Sequence, residues 1–68
     1  MDRAEVQQFV REAYASDAWF SVSKHTQNLQ NKEGLWFTDK NQLVLPDTPG
    51  LRQLVLKYLH DAPHAGHF

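Results

Sequence analysis

The sequence predicts a small single-domain α+β fold: an N-terminal helix, a short helix or loop, a β-hairpin and a C-terminal helix ending in a histidine-rich tail. Three observations predict it. Apolar residues recur at helical spacing near both ends, in DRAEVQQFVREAYAS and in DTPGLRQLVLKYLH. Between them, GLWFTDKNQLVLP holds two short runs of strand formers separated by polar turn residues. The 68 residues are 41% hydrophobic, which suits one small folded module rather than a disordered segment.

In the first helix, Val6, Phe9, Val10, Ala13 and Tyr14 follow the i, i+3, i+4, i+7, i+8 pattern of one apolar stripe, which is expected to pack into a core. Asp2 suits the N-cap, and Glu5 three residues later completes a capping box. Both acids also suit the positive end of the helix dipole. The helix is expected to end near Ala15. In SDAWFSVSKHTQN, Ser16 or Asp17 can cap a second, short helix, and Trp19, Phe20 and Val22 bring bulk without a clear period. Residues 24–32 are polar and read as a loop or frayed helix end, with His25 on its solvated surface.

The hairpin is expected from Leu35–Thr38 and Leu43–Leu45, with a loop of three or four residues around Asp39, Lys40 and Asn41. Pro46 ends its second strand, because proline has no N–H for a ladder. A hairpin alone is barely stable in water, so this one must pack on a helix. The last helix has Asp47 or Thr48 as its cap and Pro49 in its first turn, where a missing N–H costs nothing. Its stripe is Leu51, Leu54, Val55, Tyr58 and Leu59. Lys57 and His60 lie near the negative end, where cations are favoured. Pro63 forbids continuation.

Seven Lys and Arg against eight Asp and Glu give a formal charge of -1, so there is no overall basic footprint for nucleic acid. With no cysteine, the chain has no disulfide and no thiolate metal ligand of its own. No apolar run is long enough to span a bilayer, and no charged-then-apolar leader opens the chain. There is no Gly-rich phosphate loop, GxSxG turn or cysteine nucleophile, and Asp17, Asp39, Asp47 and Asp61 fall at turns and caps. Ser21 and Ser23 lie near His25 only in sequence. These features argue against an enzyme.

The stretch LHDAPHAGHF places His60, His64 and His67 within eight positions. Neutral imidazole binds Zn²⁺ with bonds of about 2.0–2.1 Å. His60 and His64 would share a helix face at a spacing of four, but Pro63 interrupts the helix. His60 and His67 are the better couple, one at the helix end and one beyond a turn containing Pro and Gly. Two readings stand: a polar, frayed tail, or half of a zinc site completed by residues elsewhere. A three-histidine open site able to activate water is a further arrangement.

The stretch GLWFTDKNQLVLPDTPGLRQLVLKYLHDAPHAGHF resembles the integrase of Ty3/gypsy-type retrotransposons. The resemblance rests on Gly34, Leu35, Trp36 and Phe37, then Leu43, Val44, Leu45, Pro46 and Asp47. It continues through Leu51, Arg52, Leu54 and Val55 to the run His60, Asp61, Ala62, Pro63, Ala65, Gly66 and His67. With AYASDAWFS upstream, it covers roughly residues 11 to 68. It implies that residues 1–58 are an extension-like helix/hairpin/helix module and that residues 59–68 open a His-His-Cys-Cys zinc domain. His60 and His67 match the two histidine ligands, His64 falls at a variable position between them, and the cysteine pair is missing from this sequence. The catalytic core with its three carboxylates is missing too. The implied role is therefore non-catalytic: binding element-end DNA and other integrase subunits in an intracellular, nuclear setting. Arg52 and Lys57 are the candidate contacts to DNA or a partner. A domesticated protein–protein interaction module, using the apolar stripes and the Trp36–Phe37 hairpin, is the alternative.

Overall fold

The computed structural model describes residues 1–66. Its first helix, α1 (Arg3–Ala15), starts at the predicted capping box. The Asp2 carboxylate accepts the Glu5 amide at 2.8 Å, and the Glu5 carboxylate accepts the Asp2 amide at 3.4 Å. Two amides that the helix leaves without partners are thereby satisfied. Val6, Val10, Ala13 and Tyr14 face the core, whereas Phe9, at the edge of the stripe, stays 41% exposed. A 3₁₀ turn follows at Ala18–Ser21, capped by Asp17, whose Oδ1 accepts the Trp19 amide at 3.1 Å. A single helical turn, α2 (Ser23–Thr26), comes next.

The polar stretch expected to be a loop or frayed helix holds that turn and also a strand, β1 (Gln30–Lys32). It pairs antiparallel with β2 (Leu35–Phe37) in the register Gln30↔Phe37, Asn31↔Trp36 and Lys32↔Leu35. Glu33 and Gly34 form the tight connection with φ of 56° and 80°, both left-handed, as a two-residue type I′ hairpin requires. The Asn31 side chain accepts the Gly34 amide at 3.2 Å and steadies the turn. All three β1 residues are exposed, and a lysine on this edge discourages pairing with another chain.

The predicted hairpin of β2 and β3 (Leu43–Leu45) is present, paired antiparallel through Phe37↔Leu43. Its loop runs over residues 38–42, longer than expected. Thr38 Oγ1 accepts the Lys40 and Gln42 amides, each at 3.2 Å, and Asn41 adopts φ 60°.

Helix α3 (Leu51–Tyr58) buries Leu51 and Val55, with Leu59 just beyond its end. Its cap is Gly50, not Asp47 or Thr48. Thr48, Pro49, Gly50 and Leu51 form a turn closed by the Leu51 amide on the Thr48 carbonyl at 3.1 Å. Gly50 has φ 80° and ψ -14°, the third position of a type II turn, and Pro49 supplies the fixed φ of the second.

Beyond α3 the chain turns at Pro63 into a further strand. His64–Gly66 form β4, parallel to β3 in the register Leu43↔His64, Val44↔Ala65 and Leu45↔Gly66. The Leu43 amide donates to the Pro63 carbonyl at 2.9 Å. β3, α3 and β4 thus make a βαβ crossover, the connection that parallel strands need. The sheet order is β1-β2-β3-β4. One apolar core joins Val6, Val10, Ala13 and Tyr14 to Leu35, Leu43 and Leu45 of the sheet and to Leu51, Val55 and Leu59.

Candidate functional site

The parallel strands β3 and β4 finish side by side, at Leu45 and Gly66. Buried Pro46 carries the chain off β3 into the turn before α3. The Asp47 amide donates to Asp17 Oδ2 at 2.8 Å, which pins this turn to the segment after α1. Between the turn, α3 and β4 lies a cavity of about 180 Å³, lined among others by Leu45, Asp47, Thr48, Arg52 and His64. Ligand sites in α/β units favour this place, outside the carboxyl ends of parallel strands. Among the described residues, neither the Arg52 nor the His64 side chain has a hydrogen bond or ion pair. His64 is half-buried and Arg52 exposed.

Arg52 lies in the first turn of α3 and Lys57 in the last. Five residues put them roughly 140° apart around the helix, so they do not form one basic face. Lys57 instead holds its ammonium 5.3 Å from the centre of the Tyr58 ring.

His60 is exposed just past α3. Beside it, Asp61 accepts a 2.6 Å hydrogen bond from Arg3, whose guanidinium also reaches the Tyr58 carbonyl at 3.4 Å. The start of α1 is thereby tied to the end of α3. The hydrogen bond from Arg3, and then its own backbone amide, hold the Asp61 carboxyl below the usual 3.8. His67 lies outside the described residues. Among the described residues, no three His, Asp or Glu side chains stand close enough to hold a metal ion. They do not by themselves fit a structural zinc, which takes four ligands.

Ser21 is engaged away from His25. Ser21 Oγ donates to the Ala18 carbonyl at 2.7 Å, while His25 Nδ1 lies 2.9 Å from the Trp19 carbonyl oxygen. The imidazole stacks on the Trp19 ring at 4.6 Å. Trp36 and Phe37 are half-buried and pack against the core. Lys32 of β1 also holds its ammonium 5.3 Å from the centre of the Phe37 ring. Sequence reasoning also missed the pairing of His64 with Arg52 around one cavity, because twelve positions of helix and turn separate them. The chain matches no protein-family model, no curated protein and no solved structure.

Proposed function

We propose that this chain is the non-catalytic N-terminal region of a Ty3/gypsy-type retrotransposon integrase. In this reading His60 and His67 supply the histidine half of a His-His-Cys-Cys zinc site, and the module supports binding of element-end DNA and assembly of integrase subunits. The observation that carries it is the run His60-Asp61-Ala62-Pro63-His64-Ala65-Gly66-His67, set directly behind a helix and the Gly34–Asp47 hairpin. The exposed position of His60 past α3 agrees with a ligand that faces residues from elsewhere. The chain has no cysteine, so on its own it brings two of the four ligands. Zinc affinity should then be weak, because metal binding and folding are coupled through the full ligand set. The alternative is a protein–protein interaction module that binds its partner through the apolar stripes and the half-buried Trp36 and Phe37. Among the described residues, the exposed large apolar side chains are Met1, Phe9, Val22 and Leu56, and Phe9 belongs to the first stripe.

Zinc titration tests the reading, with tryptophan fluorescence and helicity as readouts. Two proteins are compared: this chain, and the same chain joined to a downstream segment carrying a Cys-x-x-Cys pair. The longer protein should bind tightly and lose binding on His60→Ala or His67→Ala, but not on His64→Ala. Equal affinity in both proteins, or tight binding that survives His67→Ala, would overturn it.

A further inference from the structure

We propose that the cavity at the carboxyl ends of β3 and β4 binds a phosphate group through Arg52, His64 and Thr48. The assignment starts from side chains whose hydrogen-bonding capacity is not used elsewhere. Arg52 carries a permanent charge and a planar fork of N–H donors suited to paired oxygens. Among the described residues that fork has no carboxylate or carbonyl partner. His64 lines the same cavity from β4, also without a partner, and imidazole offers an N–H in either protonation state. The Thr48 hydroxyl, on the turn, is a third donor with no bond to the described residues.

The three donors come from three elements: α3, β4 and the turn after β3. A planar carboxylate would be satisfied by the guanidinium fork alone. A tetrahedral phosphate presents oxygens in several directions and can use all three. The volume of about 180 Å³ accommodates such a group with part of its ester. Asp47 also lines the cavity, and its carboxylate opposes an anion. That repulsion is smaller for a singly charged diester than for a dianion. The two sources of this chemistry are a nucleic-acid backbone and a free phosphate. The site goes beyond the zinc reading and does not depend on it, since neither His60 nor His67 takes part.

The test follows the Arg52 and His64 side-chain resonances of the full chain by NMR. Inorganic phosphate is added in one arm and a thymidine dinucleotide in the other, with ionic strength held constant by chloride. Saturable shifts centred on Arg52 and His64 are expected in at least one arm. Arg52→Gln should weaken binding at least tenfold, while Lys24→Gln, at an exposed position on α2, leaves it unchanged and both variants keep the backbone spectrum of the folded chain. Saturation by the dinucleotide alone would assign a nucleic-acid backbone, and saturation by inorganic phosphate alone a free phosphate. The absence of saturable shifts in both arms, or equal affinity in Arg52→Gln, would overturn the site.

Discussion

The Tyr14 hydroxyl donates to the Val44 carbonyl across 2.7 Å. The same oxygen accepts the Trp36 amide at 3.1 Å. Continuing the register from Phe37↔Leu43 sets Trp36 opposite Val44, so a side chain from α1 bridges the two strands there. Tyr14→Phe keeps the ring and its 4.5 Å contact with Phe20, but leaves an amide and a carbonyl without their partner. The expected loss is about 1–3 kcal/mol, the usual cost of an unsatisfied buried group. Urea unfolding followed by tryptophan fluorescence would measure it, and an unchanged midpoint would refute the bridge.

Alkaline pH should act on the same residue. Burial pushes the Tyr14 hydroxyl up from 10.0 to about 12, against smaller opposing effects of the Trp36 amide and Arg11. The unfolded chain therefore releases this proton first. Stability contributed by Tyr14 is complete below pH 10 and is lost as pH rises through 12. In Tyr58→Phe, which leaves one tyrosine, tyrosinate absorbance should appear late and together with unfolding. Ionisation at an ordinary pH in the folded chain would contradict the burial.

Two glycines with the same φ should respond differently to alanine. Gly34 and Gly50 both have φ +80°, so each substitution carries a left-handed penalty of roughly 1–2 kcal/mol. At Gly50 the added Cβ meets nothing within 4 Å, whereas at Gly34 it comes 3.2 Å from Arg11 Cδ. Arg11 would have to shift, loosening its 2.7 Å bond to the Glu33 carbonyl. Gly34→Ala should thus be the more destabilising of the two. In an Arg11→Ala background the two should become equal, and thermal unfolding of the four proteins checks this.

The Arg3–Asp61 pair should register in titration more than in stability. Both side chains are more than half exposed, at 53% and 63%, and solvent screens such pairs strongly. Asp61 is depressed, so whatever it contributes is present above its ordinary 3.8 and is lost as pH falls through the lowered value. Carboxyl NMR should find Asp61 titrating below its ordinary 3.8, and Arg3→Gln should raise it. No difference between the two proteins would show that the pair does not persist in solution.

The helices were legible because burial forces a period on the sequence. Val6, Val10, Ala13 and Tyr14 repeat at helical spacing since one side of α1 must leave water. The Leu51–Val55–Leu59 stripe reads the same way. β1 was not legible: Gln30, Asn31 and Lys32 are exposed and carry no apolar face. What makes them a strand is the backbone of β2 beside them. β4 was hidden for a related reason, as His64, Ala65 and Gly66 are extended because β3 offers them a parallel edge.

By itself, then, the sequence determined the α+β class, both long helices, the capping box at Asp2 and Glu5, and the β2–β3 hairpin. These depend on local hydrogen bonding and on periodic burial, both written within a few residues. Only the tertiary structure decided the four-stranded mixed sheet, the Tyr14 bridge and the cavity that Arg52 and His64 both line. Each of these joins groups distant in sequence, or rests on backbone pairing that side-chain pattern does not encode.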